Sequence, residues 1–301
     1  MEALDQISNK IMCFLKELNS PYVLEMIQNL QSGKMLRSKL ALNIAGISED
    51  SILLCAIIEM IQSASLFHDD VIDNAKIRRN KPSINATFGD KHAIMLGDVF
   101  YSKAFFELSK FGNSEIAQII SNSVVQLSIG EILDVKMSDE FNSNESRYLD
   151  MIELKTASLI EATAKSAAIL ANKDSESFGL YGRNLGLAFQ IIDDILDITQ
   201  TSSTLGKPSL SDFKEGKSTL PYIYLYHHLD KGGKDRLLEC FGRKLSDDEQ
   251  SWIVENLHSS GAIKKSHTLA QKLAQDGIEA IINQSCDKLI EIMENMICRD
   301  F

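Results

Sequence analysis

The chain has 301 residues, of which 44% are hydrophobic, and a formal net charge of -11; it can bury a large core, but it lacks the basic face that a general nucleic-acid binder needs. Its five cysteines, without a CxxC pair, favour free thiols and a cytoplasmic location over a disulfide framework. No signal pattern opens the sequence and no charge-free apolar run approaches the length of about 20 residues that spans a bilayer, so we expect no transmembrane segment.

Apolar residues recur every three or four positions in four long segments, which indicates helices: SILLCAIIEMIQSASLFHDDVID, IAQIISNSVVQLSIGEILDV, YLDMIELKTASLIEATAKSAAILA and LGLAFQIIDDILDITQ. No proline lies between residues 83 and 207 to interrupt them. Ser20 before Pro21, and Ser246 three residues before Glu249, predict helix N-termini. We predict an all-α fold in one domain over residues 1–301, with residues 199–221 as the longest turn-rich loop.

The pattern DDxxD occurs twice, as DDVID at residues 69–73 and as DDILD at residues 193–197. On a helix, the first and last aspartates share one face with Cβ atoms about 6 Å apart, and the middle one lies roughly a quarter turn away. Their like charges repel and need a cation, and Mg²⁺ suits them because it prefers oxygen ligands and substrate phosphates. A solvated acidic face would explain one cluster. Two clusters that both follow apolar stretches favour a metal site.

Basic residues accompany the clusters near predicted helix ends and loops. Arginine suits two-bond phosphate contacts and lysine acts as a point charge. Each of them alone would be read as a surface residue, but together they predict an anion site beside the metal site. They are Lys34, Arg37, Lys39, Lys76, Arg78, Arg79, Lys81, Lys155, Lys207, Lys214 and Lys217.

Six motifs, in order, resemble those of the trans-isoprenyl diphosphate synthases, or polyprenyl synthetases: GKMLRS, SLFHDDVIDNAKIRRNKPS, LGDVF, LKTASLIEATAKSAA, FQIIDDILDIT and LGKPSLSDFKEGKSTLP. The resemblance implies the isoprenoid synthase fold, a large helical bundle around a deep central cavity. It also implies a homodimer, and aspartate clusters that face each other across the cavity mouth. The implied reaction joins isopentenyl diphosphate head to tail to an allylic diphosphate primer, such as farnesyl or geranylgeranyl diphosphate, and releases pyrophosphate.

The same resemblance implies roles for individual residues. The cofactor would be Mg²⁺, about three ions per site with substrate bound. Its ligands would be Asp69, Asp70, Asp73, Asp193, Asp194 and Asp197, and all but Asp197 also count as catalytic, together with Lys155, Thr156 and Gln190. The allylic diphosphate would contact Arg78, Lys155, Thr156, Gln190, Lys207 and Lys217. Isopentenyl diphosphate would contact Lys34, Arg37, Gln62 and Arg79. The released pyrophosphate would accept the proton, so we expect no side-chain base.

Some positions depart from the family's pattern. Gln62 stands where the family usually has histidine, and an amide can donate a hydrogen bond but cannot become cationic. Met35, Ser38 and Asn80 replace a common arginine, proline and glycine, without changing the charge pattern. His68, beside the first cluster, is not expected to bind metal, because the hard cations of such clusters prefer oxygen.

Product length should follow the depth of the cavity. Ala64 and Ser65 lie one helical turn before Asp69, on the wall that the growing tail passes, and short-chain members usually carry a bulky aromatic residue at one of these positions. Small residues here predict a product of about 30 to 45 carbons, with octaprenyl diphosphate as the central estimate, destined for a quinone side chain in the membrane. Alternatively, Ala64 and Ser65 only permit close helix packing. A tunnel floor elsewhere would overrule them, with candidates at Phe105, Phe106, Val124 and Leu127.

Other interpretations stay open. A short-chain farnesyl or geranylgeranyl diphosphate synthase would share all six motifs. A non-catalytic partner subunit of a heteromeric synthase commonly lacks aspartates or basic contacts, which this chain retains. A class I terpene cyclase normally has an Asn/Ser/Glu pattern in place of the second DDxxD. A di-metal bundle of ferritin type would need a pair of Glu-x-x-His motifs, and the sequence has no such pair.

Overall fold

The computed structural model describes residues 2–28, 30, 33–200, 210–284 and 286–298. Its helices confirm the all-α prediction. The chain packs into two compact units, Met1–Asn122 with Thr163–Ser175, and Ser123–Ala162 with Glu176–Phe301. The organisation as a single domain stays a prediction.

The helices of the first half are α1 (Glu2–Lys16), α2 (Pro21–Ile27), α3 (Leu36–Ala45), α4 (Glu49–Ile72), α5 (Ile84–Phe88), α6 (Asp90–Lys110), α7 (Ser114–Met137) and α8 (Glu145–Ile152). A π-helical segment, Glu153–Ala157, leads into α9 (Ser158–Leu170) and α10 (Ser175–Thr199). The remaining helices are α11 (Ser211–Lys214), α12 (Leu220–His228), α13 (Lys231–Cys240), α14 (Asp247–Ser259), α15 (Ala262–Ile281), a 3₁₀ turn at Ile282–Gln284, and α16 (Asp287–Ile297).

Helix α4 is the central element of the first unit. Its N-terminus is fixed by a capping box in which Ser48 and Ser51 bond each other's backbone N–H. Apolar residues surround the helix, so it is buried on most sides, and α6, α1 and α3 pack against it. Each fully buried Ile or Leu contributes about 1.5–3 kcal/mol. This packing fixes the position of the first aspartate cluster, which ends the helix.

A short hairpin follows α4 and was not part of the all-α prediction. Strands β1 (Ile77–Arg78) and β2 (Lys81–Pro82) pair antiparallel. The two turn residues, Arg79 and Asn80, have φ angles of 54° and 60°, as a two-residue hairpin turn of type I′ requires. Arginine in this conformation costs roughly 1–2 kcal/mol, so the hairpin holds Arg79 in a strained position next to the aspartate cluster.

Helix α10 of the second unit is buried along much of its length. The predicted apolar stretch from residue 148 to 171 is divided by the π-helical segment, a feature that often marks functional positions. Two glycines allow it to pack closely. A Cβ on Gly130 would lie 2.3 Å from the backbone N of Lys155, and one on Gly186 would lie 2.5 Å from Cα of Ala157. Further along the chain, α12 packs on α14 and α15, and α15 on α16.

The predicted helix starts are confirmed. Ser20 caps α2 with Pro21 at its first position, and Ser246 with Glu249 forms the capping box of α14. By length and composition, α4 and α7 would both be able to cross a membrane, a test that core helices of soluble proteins also pass. The apolar window of α4 is 67% buried and that of α7 only 33%. The absence of a transmembrane segment stays a prediction.

Candidate functional site

The first aspartate cluster divides into two kinds of residue. Asp69 and Asp73 are half-buried at the end of α4. Asp70 is 2% exposed, and its Oδ1 accepts hydrogen bonds from Arg78 Nε at 2.8 Å and Nη2 at 2.5 Å. The backbone oxygen of Asp70 also accepts from Asn85 Nδ2 at 2.9 Å. Asp70 therefore holds Arg78 of the hairpin, and a metal contact by its side chain stays a prediction.

Cations and unpaired polar atoms lie on α3, α4 and the hairpin of the same unit. Burial lowers the pKa of Arg37 to about 10, and the charge of Glu59 partly offsets this. Arg37 therefore stays charged at neutral pH. Within the described part of the chain, Arg37 Nε and Gln62 Oε1 are buried without a hydrogen-bond partner. Such groups suit a polar anionic ligand. Lys34, also predicted to bind substrate, is exposed.

Glu59 belongs to this region and was missed by the sequence analysis. Its Oε1 accepts from Ser38 Oγ at 2.6 Å and from Ser38 N at 3.3 Å, which ties α3 to α4. Burial and the neighbouring Arg78 lower the pKa of Arg79, while Glu59 and Asp70 oppose that change. The sequence signal that could have identified Glu59 is its position: an acidic residue on a buried helix, one turn before Gln62.

The side chain of Arg79 occupies the space that a Cβ at position 33 would fill. A Cβ on Gly33 would lie 2.4 Å from Nη2 of Arg79, so the glycine of GKMLRS lets the guanidinium pack on the main chain. A cavity of about 80 Å³ nearby is lined by Asp70, Arg78, Arg79 and apolar residues of α4. The structure thus brings Arg78 and Arg79 together with Asp70 in one unit.

His68 is engaged by α6. Its Nε2 lies 3.0 Å from the carbonyl oxygen of Ile94 and 3.5 Å from Asp98 Oδ1. A Cβ on Gly97 would lie 2.3 Å from the same nitrogen. The glycine of the LGDVF motif therefore makes space for His68, which joins α4 to α6 beside Asp69.

The second aspartate cluster has three different environments along α10. Asp193 is exposed and Asp194 is 4% exposed. Asp197 is half-buried, and its two oxygens accept from the backbone N–H groups of Ser211 at 3.0 Å and Asp212 at 3.1 Å. Asp197 therefore anchors the start of α11.

The segment that follows carries more of the predicted basic contacts. Lys217 Nζ lies 3.2 Å from Glu215, and Lys207 lies outside the described residues. Asp212, which the sequence analysis missed, has its pKa raised to about 7 by burial and by the neighbouring Asp197.

Asp194 is the centre of a buried hydrogen-bond network. Its Oδ2 accepts from the hydroxyl of Tyr148, and its Oδ1 accepts from Gln190 Nε2 at 2.9 Å. Gln190 Oε1 accepts from Thr156 Oγ1 at 2.9 Å. Burial and the charge of Asp212 raise the pKa of Asp194, and the two donors oppose that rise. The network joins the predicted catalytic pair, Thr156 and Gln190, to Tyr148, which the sequence analysis missed.

Lys155 is held by two carboxylates of α7. Its Nζ lies 2.5 Å from Asp134 and 2.7 Å from Glu131. Burial alone would lower the pKa of Lys155, but Asp134 and Glu131 more than offset it and raise the pKa. Lys155 is therefore charged at neutral pH. The two acids belong to the segment GEILD, whose acidic spacing was visible but was not linked to Lys155.

The described residues contain no group of three His, Cys, Asp or Glu side chains gathered closely enough to hold a metal. Mg²⁺ does not need such a cage, because it keeps several waters and is held by one or two carboxylates plus substrate phosphates. Asp69 and Asp73 in the first unit, and Asp193 in the second, offer carboxylate oxygens at half-buried or exposed positions, and oxygen donors of this kind fit Mg²⁺. The prediction that the two clusters face each other is not tested.

A sequence profile of the polyprenyl synthetase family matches residues 20–257. The chain belongs to the polyprenyl synthetase family. Its substrates are therefore of the family's kind, isopentenyl diphosphate and an allylic diphosphate, and the protein is a prenyltransferase with the isoprenoid synthase fold.

Individual relatives differ in product length. Octaprenyl pyrophosphate synthase from Helicobacter pylori is 47% identical with a TM-score of 0.94, over 99% of both chains. A short chain isoprenyl diphosphate synthase from Methanothermobacter thermautotrophicus is 32% identical over 88% of this chain and 86% of its own. A polyprenyl synthase from Caulobacter crescentus, complexed with calcium and isoprenyl diphosphate, is 27% identical with a TM-score of 0.85, over 99% of this chain and 98% of its own. Catalysis in the family depends on divalent metal.

Proposed function

We propose that the protein is a long-chain all-trans polyprenyl diphosphate synthase whose product is octaprenyl diphosphate. The observation that carries this proposal is the 47% identity to an octaprenyl pyrophosphate synthase over 99% of both chains. The small side chains of Ala64 and Ser65, one turn before Asp69, support it, because a bulky residue there would narrow the path of the growing tail. The product would serve as a quinone side chain in the membrane.

In this proposal the cations of the first unit bind isopentenyl diphosphate. Arg37 supplies a charged guanidinium with a buried, unpaired Nε, Gln62 supplies an amide, and Arg79 and Lys34 add positive charge. Glu59 holds the first turn of α3 through Ser38, and so keeps Arg37 in place before the ligand arrives. Fixed donors of this kind bind an anion without reorganising.

The allylic diphosphate contacts Arg78, Lys155, Gln190, Lys207 and Lys217. Asp70 fixes the Arg78 guanidinium, and Asp134 with Glu131 keeps Lys155 protonated. Asp69 and Asp73 of the first unit, and Asp193 of the second, would offer carboxylate oxygens to Mg²⁺, which when bound would supply positive charge to the leaving diphosphate. Thr156 and Gln190 direct their dipoles toward the reacting carbon.

A second copy of the chain is the proposed partner. Val125, Ile129, Ile132 and Val135 form an apolar stripe on α7 and are 46–68% exposed. Apolar stripes of this kind are usually covered by another surface, and most soluble oligomers are homodimers. We further propose a cytoplasmic location, in line with the free state of all five cysteines.

The test is incubation of the purified protein with radiolabelled isopentenyl diphosphate, farnesyl diphosphate and Mg²⁺, followed by chromatography of the dephosphorylated products. A ladder ending near octaprenol is expected. The matched variant Ser65→Phe should stop at a shorter product with the total incorporation maintained. No incorporation by folded protein with any allylic primer would instead favour a non-catalytic partner subunit.

A short-chain synthase is the second candidate. A relative of that class is 32% identical. Ala64 and Ser65 are 0% and 5% exposed, so these positions present little open wall. The same chromatogram separates the two candidates. A product that stops at farnesol or geranylgeraniol would retain the enzyme and overturn the long-chain proposal.

A further inference from the structure

The carboxylate of Asp194 has no free face toward solvent. It is 4% exposed, and each of its oxygens accepts a hydrogen bond, one from Tyr148 and one from Gln190. Asp193, the preceding residue, is exposed. Neighbouring residues of a helix point about 100° apart, so the helix that presents Asp193 outward turns Asp194 into the core. This position suits a residue that accepts hydrogen bonds from its protein neighbours better than it suits a metal ligand.

This carboxylate decides which way the amide of Gln190 points. Gln190 and Asp194 are four residues apart on α10, so their side chains meet on one face. The NH₂ group of Gln190 faces this carboxyl group, because Gln190 Nε2 donates to Asp194 Oδ1 at 2.9 Å. The carbonyl oxygen of Gln190 then lies on the other side, where it accepts from Thr156 at 2.9 Å. A flipped amide would place two oxygens against each other.

We propose that Tyr148 and Asp194 are positioning residues that fix the amide of Gln190, so that its carbonyl dipole faces the developing allylic cation. Tyr148 acts through Asp194, and Asp194 acts through Gln190. This inference rests on the role proposed above for Gln190, and it replaces the predicted metal contact of Asp194 with a hydrogen-bonding task. All the residues of the network lie in the same unit of the chain.

Among the described residues, the Tyr148 hydroxyl makes one hydrogen bond, to Asp194. Tyr148 is 1% exposed on α8 and precedes Lys155 of the π-helical segment by seven residues. Without its hydroxyl, Asp194 would lose one of its two donors and would be free to turn. A reacting group that shifts by a fraction of an ångström loses rate without losing substrate affinity.

The first experiment compares steady-state kinetics of the full-length wild type with those of Tyr148→Phe, measured as total isopentenyl incorporation. This measurement does not depend on product length. We expect kcat to fall about tenfold, while KM for both substrates and the Mg²⁺ concentration for half-maximal rate stay unchanged. The matched control is Tyr181→Phe, which removes another buried hydroxyl, one that donates to the carbonyl oxygen of Leu289 at 2.7 Å. The control should keep the wild-type kcat.

A double-mutant cycle tests the route of the effect. Gln190→Leu removes the amide, and in that background Tyr148→Phe should cost nothing more, because its only path to the reaction is gone. Urea unfolding of each variant shows whether the native fold is kept. If Gln190→Leu retains full kcat, the role of Gln190 fails and the inference fails with it. If Gln190→Leu is slow and Tyr148→Phe slows it further, the role of Gln190 stands and only the positioning inference is overturned.

Asp194→Asn is the second variant, in case Tyr148→Phe does not fold. The asparagine oxygen still accepts from Gln190, and its NH₂ group can donate to Tyr148. We therefore expect a loss of less than tenfold in kcat and an unchanged Mg²⁺ requirement. A tenfold or greater rise in the Mg²⁺ concentration for half-maximal rate, in either Asp194→Asn or Tyr148→Phe, would assign Asp194 to the metal and overturn the inference.

Discussion

Single residues of the two aspartate clusters differ more than their shared pattern suggests. Asp70 binds the Arg78 guanidinium through Nε and Nη2, and Asp194 binds Gln190 and Tyr148. Both are the middle residues of DDxxD, and both are buried. Because the middle residue lies away from the face shared by the other two, it is the one that turns toward protein. Each cluster therefore has carboxylates outside the core, which are the predicted metal ligands, and one buried carboxylate that holds a neighbouring side chain.

At the residue scale, the amide of Gln62 does not titrate, so we expect it to add no pH dependence to the binding of isopentenyl diphosphate. Gln62→His introduces a group that becomes cationic below about pH 6.5. The KM for isopentenyl diphosphate should then fall in the variant as the pH decreases from about 7.5 to 5.5, relative to the wild type at each pH. Steady-state kinetics at saturating allylic substrate provide the measurement. Parallel pH profiles for the two proteins would mean that position 62 does not contact the diphosphate.

At the scale of elements, the π-helical segment depends on two glycines. In Gly186→Ala, the new Cβ would lie 2.5 Å from Cα of Ala157, and backbone cannot yield as a flexible side chain does. We expect a loss of about 1–3 kcal/mol in the free energy of unfolding, measured by urea denaturation, together with reduced kcat because Lys155 and Thr156 move.

The matched control is Gly232→Ala on α13, where a new Cβ would lie 3.8 Å from Oδ1 of Asp230, an ordinary van der Waals distance. There, alanine should raise the free energy of unfolding by roughly 0.5–1 kcal/mol. Equal stability changes in the two variants would contradict the close packing of α10 on the π-helical segment.

The capping box of α14 makes a pH-dependent contribution to stability. Hydrogen bonds from Arg243 and from the backbone of Ser246 lower the pKa of Glu249 from 4.5 to about 2. Because the folded-state pKa is the lower one, the ionised carboxylate stabilises the fold above about pH 4.5, and this contribution is lost as the pH falls toward 2.

Glu249→Gln should therefore be less stable than the wild type at neutral pH, and the difference should disappear as the pH approaches 2. Thermal unfolding across this range measures it. Glu255→Gln, an exposed position on the same helix, serves as the control and should follow the wild type. A stability difference that is the same at every pH would rule out the ionised cap.

At the scale of the whole molecule, the stripe on α7 predicts self-association. Ile132 is 68% exposed in the middle of that stripe, and Ile132→Asp would place a charge in the proposed interface, where an unpaired buried charge costs several kcal/mol. We expect a dimeric wild type and a monomeric variant in light scattering coupled to size-exclusion chromatography. The control is Ile47→Asp, at a site that is 70% exposed before α4. A monomeric wild type, or a variant that stays dimeric, would remove α7 as the interface.

The sequence by itself determined the all-α class, the four long helical segments, two helix N-termini and the family. Apolar spacing, Ser20 with Pro21, and Ser246 with Glu249 act within one or two helical turns, so local pattern suffices to predict them. The order of the six motifs was enough to indicate the family. The outward placement of Asp69 and Asp73 on one face also follows from helix geometry alone.

Only the tertiary structure decided which partner each polar side chain has. Tyr148 and Asp194 are 46 positions apart, Lys155 and Asp134 are 21 apart, and Ser38 and Glu59 are 21 apart. Such pairs form because separate helices pack against each other, and helical periodicity carries no information about distant partners. For the same reason, helical periodicity did not predict the π-helical segment, which packs closely on the backbones at Gly130 and Gly186.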